Sequence, residues 1–321
     1  MTGLFYIFTF IGSCILLFWA GNILVKALMG VAHFLKWKEF TVSLFVMATA
    51  ASIPNLFIGI SSAIHQTPQL SFGDVIGGNI VDLTLGVGIA TLIAKGLPTA
   101  GRTVQTSSIF TMVVAILPLL LILDGRLGRI DGIILISFFL FYIFWLFSKR
   151  KSFRKSYQEK GNSIIRRFKI FLKDVGRVIL GTVVLLLAAE GVVRSASFFA
   201  QSLKLPLSLV GVLIVGVGNT LPEIYFAGAS AKSGRTWMIL GDLMGSVIVP
   251  SSLVLGTVAL LCPIEIGDFC SFLPARFFLI VSAIFFFFFA RTGQRITKRE
   301  ALFLFLIYIL FLFVQWLTNY L

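Results

Sequence analysis

Apolar residues gather along this chain into ten blocks of about twenty, separated by short polar breaks. The blocks lie near residues 4–25, 40–64, 72–94, 106–123, 131–148, 176–198, 207–230, 237–261, 273–290 and 300–319. An α-helix rises about 1.5 Å per residue, so about 20 apolar residues cross about 30 Å of hydrocarbon. Each block therefore predicts a transmembrane helix. The first block lacks the basic leader of a signal peptide and has a counterpart later in the chain, so it is expected to stay in the mature protein.

Composition agrees and narrows the class. Of 321 residues, 58% are hydrophobic and only 12% are charged, against about a quarter charged in soluble domains. The 34 phenylalanines need lipid or a very large core to cover them. Three cysteines (Cys14, Cys262, Cys270) form no C-x-x-C pair, and two histidines (His33, His65) are too few for a His-based metal site. A net charge of +14 raises nucleic acid as a partner, but the bases sit between apolar blocks and read as membrane topology. Loops after odd-numbered blocks hold 21 of the 27 Lys and Arg residues. Positive-inside bias then places those loops in the cytoplasm and both termini outside, as expected for a multi-pass protein of a prokaryotic inner membrane. The basic stretch at 149–173 reads as a solvated linker, with an anionic-lipid patch as the other reading.

The two halves superpose at a constant shift of 168 residues. SIPN (52–55) falls on TLPE (220–223), and GDVIGGNIV (73–81) falls on GDLMGSVIV (241–249). Each half carries five blocks, an odd number, so the halves must lie in the membrane upside down relative to each other. The expected organisation is repeat 1 over 1–148, the linker over 149–173 and repeat 2 over 174–321. Pro54 and Pro222 occupy matching positions, where each is expected to kink or unwind its helix and free carbonyls for a cation. GDVIG and GDLMG each contain G-x-x-x-G, which lets backbones approach closely.

Packing does not account for the acids. Asp74, Asp82, Glu190, Glu223 and Asp242 fall within or at the edges of apolar blocks. A charge at mid-bilayer costs about 2.5–3.5 kcal/mol on insertion scales, so such groups face an ion, a cavity or a partner. Asp82 is near the middle of its block, and Glu223 directly follows Pro222. Asp74 and Asp242 lie near helix starts, where capping and an ion vestibule are equally open readings. Glu190 precedes Arg194 by four residues and is expected to pair with it.

These segments resemble the two α-repeats of the calcium/cation antiporter superfamily, closest to prokaryotic sodium/calcium exchangers. There each repeat reads approximately G-T-S-x-P-E followed by G-N-x-x-G-S-N-x-x-N/D. The resemblance covers essentially the whole chain and implies an all-α membrane fold of ten helices in two inverted fives. It also implies a central cation site. The position of the family's Glu after each proline holds Asn55 in repeat 1 and Glu223 in repeat 2. The later Asn/Asp position holds Asp82 in repeat 1 and Pro250 in repeat 2. Family hydroxyls map to Ser52, Thr220 and Ser246, while Asn219 takes a Thr position and Ala51 and Gly78 replace others.

The implied ligand set is thus Asp82, Glu223, Asn55, Ser52, Thr220, Asn219 and Ser246, with Asp74 and Asp242 as vestibule residues. Oxygen ligands suit Ca²⁺ and Na⁺ rather than transition metals. The expected activity is antiport of Ca²⁺ against Na⁺ (or H⁺), with no cofactor, no nucleic acid and no obligate protein partner. The alternatives are a divergent member moving another cation or coupled to H⁺, and an intramembrane acid/base enzyme. The enzyme would need a nucleophile or metal motif, and no H-E-x-x-H or G-x-S-x-G is present.

Overall fold

The computed structural model describes residues 2–34, 52–148, 164–232, 234, 236–267 and 269–320. Its helices follow the apolar blocks in order. In repeat 1 they are α1 (Thr2–Phe34), α2 (Ile53–Ile64), α3, α4 (Arg102–Leu121) and α5 (Arg129–Ser148). In repeat 2 they are α6 (Ile164–Leu203), α7, α8, α9 (Phe269–Arg291) and α10 (Lys298–Tyr320). Three of them contain a five-residue π turn. Helix α3 runs Pro68–Val81, turns through Asp82–Gly86 and continues as Val87–Ile93. Helix α7 runs Leu207–Val210, Gly211–Val215 and Gly216–Lys232, and α8 runs Thr236–Val249, Pro250–Val254 and Leu255–Leu261.

Among the described residues, nine helices are long and apolar enough to cross a membrane, and Ile53–Ile64 is a shorter apolar helix. The first part of the second block lies outside the described residues, as do Lys36, Lys38 and 149–163 of the basic stretch. Within the expected linker, α6 already begins at Ile164, so the last part of that stretch is helix rather than a polar connection. Its apolar positions, Ile164, Ile165, Phe168, Ile170, Phe171 and Leu172, continue the α6 pattern into the basic segment. At 40 residues, α6 is about 60 Å long, twice the hydrocarbon thickness. It packs along α1, its counterpart in the other repeat.

Two small β ladders tie the repeats together. β1 (Leu97–Pro98), after α3, pairs antiparallel with β4 (Arg295–Ile296), after α9. β2 (Arg126–Leu127), after α4, pairs with β3 (Ile264–Glu265), after α8. Exchanging the repeats turns one ladder into the other, as an inverted pair of five-helix units requires. One ladder lies at each end of the bundle, because its loops follow odd-numbered helices in one case and even-numbered helices in the other.

The outer surface is apolar: Phe8 is 67% exposed and Phe144 is 73% exposed, as suits side chains facing lipid. Phe72, Phe272, Phe286 and Phe311 fill the interior. At the centre α3 and α7 touch backbone to backbone. A Cβ on Gly73 would collide with the Ser208 carbonyl, and one on Gly77 would lie 2.7 Å from the Val212 Cα. From the other side, a Cβ on Gly211 would lie 2.8 Å from the Asp74 nitrogen. The first G-x-x-x-G is therefore a contact that only glycine permits. In the second, a Cβ on Gly241 meets nothing within 4 Å among the described residues.

Candidate functional site

The three π turns put local breaks where helices cross, and π turns commonly mark functional positions. Those of α3 and α8 start at Asp82 and Pro250, the same repeat position. Both are braced alike: Thr84 Oγ1 donates to the Ile80 carbonyl, and Ser252 Oγ donates to the Ile248 carbonyl at 2.5 Å. Such back-bonding by Ser and Thr loosens the helical ladder. Pro250 adds to this by supplying no N–H.

Pro222 behaves differently from expectation. Helix α7 continues without a break from Gly216 to Lys232, and the irregular turn lies earlier, at Gly211–Val215, against the glycines of α3. Pro222 still removes the donor that would bond the Gly218 carbonyl. Thr220 Oγ1 donates to the Gly216 carbonyl one turn earlier. Pro54 sits in the first turn of α2, a position where a missing N–H costs little.

Where α2, α3, α7 and α8 meet, they enclose a small cavity with room for about one water-sized sphere. Asn55 comes from α2, and Asp74, Gly78 and Asp82 come from one face of α3, with Val75 and Asn79 beside them. Helix α7 adds Asn219, Thr220 and Glu223, and α8 adds Ser246. Among the described residues no Lys or Arg lines it. Asp82 is 2% exposed; its Oδ2 accepts from Ser246 Oγ at 2.5 Å and its Oδ1 has no hydrogen-bond partner among the described residues. Glu223 Oε2 is also buried without a partner among the described residues. The Asn219 Nδ2 donates to Asn55 Oδ1 and also lies toward the Asp74 carboxyl, whose two oxygens are buried without a close hydrogen-bond partner among the described residues. Among the described residues no three Asp, Glu, His or Cys side chains converge as one metal-holding group.

Six of the residues expected as ligands therefore line one cavity: Asp82, Glu223, Asn55, Thr220, Asn219 and Ser246. Ser52 does not; it is buried at the start of α2 with its hydroxyl unpartnered among the described residues. Asp74, expected in a vestibule, lines the central cavity itself, whereas Asp242 is half-buried and outside the lining. Glu190 lies apart from the cavity. It takes Arg194 Nε at 2.6 Å, His65 Nε2 at 3.0 Å and Ser61 Oγ at 3.0 Å, joining α6 to the end of α2. Sequence reasoning missed Asn79, whose Nδ2 donates to Ser251 Oγ across the repeats at 2.6 Å. The available signal was its place three residues before Asp82, on the same side of α3.

Similarity to known proteins agrees with this arrangement. The model of the sodium/calcium exchanger protein family matches residues 5–148 and 173–317. The chain belongs to the sodium/calcium exchanger family. Relatives of this exchanger include the sodium/calcium exchanger MaX1 of Methanosarcina acetivorans, 24% identical and spanning 90% of this chain and 92% of the relative. Another is the inner membrane protein YrbG of Escherichia coli, 24% identical over 76% of each chain. Among solved structures, the H⁺/Ca²⁺ exchanger CAX superposes with a TM-score of 0.78 at 16% identity, covering 98% of this chain and 84% of that one. The sodium-calcium exchanger NCX_Mj superposes with a TM-score of 0.64 at 21% identity, covering 96% and 98%. The exchanger is thus a multi-pass membrane protein with the ten-helix inverted-repeat fold of that family.

Proposed function

We propose that this exchanger moves Ca²⁺, or a closely related hard divalent cation, against a monovalent coupling ion by alternating access through the cavity at α2, α3, α7 and α8. The observation that carries the reading is a pair of buried carboxylates, Asp82 and Glu223, each with an oxygen that no donor among the described residues satisfies. A buried unpaired carboxylate is costly, and a bound cation compensates it as a Lys or Arg would. Two carboxylates carry a formal charge of −2, which balances one divalent ion. The surrounding Asn55, Asn219, Thr220 and Ser246 offer neutral oxygens, the ligands that hard cations take.

Relatives bearing the names sodium/calcium exchanger and H⁺/Ca²⁺ exchanger make Na⁺ and H⁺ the two coupling ions to test. The basic loops after odd-numbered helices support an orientation with those loops in the cytoplasm and both termini outside. The test is flux of radiolabelled Ca²⁺ into vesicles containing the purified protein, under an imposed Na⁺ gradient and, separately, an imposed pH gradient. Mg²⁺, Mn²⁺ and K⁺ serve as competitors. Uptake driven by one of the gradients is expected. Transport of a competitor with no Ca²⁺ uptake would assign the site to a different cation.

A further inference from the structure

The two β ladders exchange places under the inverted repeat, yet their charges are opposite. The loops of β1 and β4 (95–102 and 291–300) hold Lys95, Arg102, Arg291, Arg295, Lys298 and Arg299 against one acid, Glu300. The loops of β2 and β3 (124–131 and 262–268) hold two bases, Arg126 and Arg129, against Asp124, Asp131, Glu265 and Asp268. The β2–β3 ladder satisfies its own charges. Arg126 Nε lies 3.6 Å from Glu265 Oε1, and the Arg126 and Gly128 amides donate to Asp124 and Asp131.

The β1–β4 ladder does not. Glu300 Oε2 accepts from the Thr297 amide at 2.6 Å and from its hydroxyl at 2.8 Å. Lys95, Lys298 and Arg299 are exposed and have no ion-pair partner among the described residues. Arg295 donates its Nη2 to the Lys95 carbonyl at 2.6 Å, and its guanidinium packs on Gly96, where a Cβ would lie 2.2 Å from Nε. Gly96 has a φ of +123°, so both the backbone conformation and the space call for glycine. The ladder thus seats one cation on the main chain of a second cationic residue. Like charges on paired strands repel. Positive-inside bias accounts for the sign of these loops, but not for a guanidinium built into the ladder.

The bases stand directly above apolar positions that face lipid. Phe288, three residues before Arg291, is exposed, as are Leu302, four after Lys298, and Leu306 one turn further. Residues three and four apart share a helix face. Helices α9 and α10 are locked together there, with Phe303 against Phe285 at 4.7 Å between ring centres and against Phe289 at 5.9 Å. A molecule with its anionic end among the bases would lay apolar chains along these two helices.

We propose that the β1–β4 ladder is a docking surface for one anionic phospholipid, its phosphate held by Arg295, Lys95, Lys298 and Arg299 and its chains lying along α9 and α10. The planar fork of Arg295 suits two phosphate oxygens, and the lysines add point charges. In the orientation proposed above, this end of the bundle meets the cytoplasmic leaflet, whose anionic lipids attract bases at the membrane edge. The lipid bridges the repeats, since Lys95 belongs to the first and Arg295 and Lys298 to the second. The surface is separate from the cavity and does not depend on the antiport reading.

The experiment is native mass spectrometry of the detergent-purified protein, titrated with phosphatidylglycerol or with phosphatidylcholine of the same chain length. One phosphatidylglycerol should bind the parent about tenfold more tightly than phosphatidylcholine, as several bases around one phosphate imply. Lys95→Gln/Lys298→Gln/Arg299→Gln should reduce that preference to within about twofold. Arg295→Lys keeps the charge but loses the fork, and should lower the preference by about threefold. Arg126→Gln/Arg129→Gln, at the other ladder, should leave it unchanged. Equal affinity for both lipids in the parent would overturn the proposal, as would a preference that survives the triple substitution or disappears with the Arg126/Arg129 pair. An unchanged preference in Arg295→Lys would also overturn it, because diffuse charge would then suffice. So would displacement of the lipid by millimolar glycerol phosphate, which would make the occupant a soluble phosphate. The parent ratio and Arg295→Lys keep the proposal testable if the triple variant fails to fold.

Discussion

Helices α3 and α8 are built alike and charged differently. Each contains a π turn at the same repeat position, Asp82–Gly86 in one and Pro250–Val254 in the other. Each braces that turn with a hydroxyl bonded to an isoleucine carbonyl four residues earlier. The first residue of the turn is a carboxylate in α3 and a proline in α8. The backbone cradle therefore follows the inverted repeat, while the ligand chemistry does not. With Asn55 opposite Glu223 as well, each repeat contributes one acid of the central pair: α3 from repeat 1 and α7 from repeat 2.

The sharpest way to break this comparison is to treat the two π turns identically. Asp82→Asn should lower Ca²⁺ flux by at least about a hundredfold, because a buried ion loses one of two balancing charges, a contact worth several kcal/mol. Pro250→Ala should leave flux within a few-fold of the parent, since the proline side chain donates nothing to an ion. Glu223→Gln should match Asp82→Asn. Both carboxyl variants keep side-chain shape, so size-exclusion profiles in detergent should be unchanged. Equal losses at 82 and 250 would mean that the turn geometry matters more than the charge.

A second contrast concerns packing. Gly73 has no room for a Cβ against α7, whereas Gly241 has open space on that side among the described residues. Gly73→Ala should lower thermal stability by about 1–3 kcal/mol, the usual cost of overpacking. Gly241→Ala should stay within about 0.5 kcal/mol of the parent, as an uncrowded substitution does. Thermal unfolding of the two variants in one detergent decides it. A third, smaller effect is expected for Ser251→Ala, which removes the cross-repeat bond from Asn79 and should cost about 1 kcal/mol.

How much of this was legible in the sequence follows the same division. The ten helices were readable because lipid imposes a length and an apolarity that composition must obey. The inverted pairing was readable because SIPN/TLPE and GDVIGGNIV/GDLMGSVIV repeat at one shift. The break in α7 was not: proline points to Pro222, but the helix passes through it and loosens at Gly211–Val215, where a tertiary contact with α3 decides. Asp74 was likewise ambiguous, because an acid near a helix start also serves as a cap. Only the crossing of α3 with α7 turns it into the cavity. The helical start of α6 at Ile164 was hidden by the charges interspersed among its apolar positions.

The finest test of the comparison restores the missing acid of repeat 1. Asn55 lines the cavity and accepts a bond from Asn219 Nδ2, so its side chain already points among the ligands. With Asp82 and Glu223 ionised the central pair carries −2, and Asn55→Glu adds a third carboxyl to it. At about 4 Å in an effective dielectric of about 20, each like-charge contact costs on the order of 4 kcal/mol. A carboxyl under that repulsion holds a proton or gathers a further cation, and either response ties transport to the concentration of the species it binds. The substitution also removes the acceptor geometry that fixes Asn219, which changes the surroundings of Asp74. Flux in Asn55→Glu should therefore vary more steeply than in the parent across pH 6 to 9 or across a Na⁺ titration, with the maximal rate reduced by only a few-fold. Measuring both proteins side by side over both ranges checks this. Superimposable curves would show that position 55 does not feel the ion, and the asymmetry between the repeats would then be confined to α3 and α8.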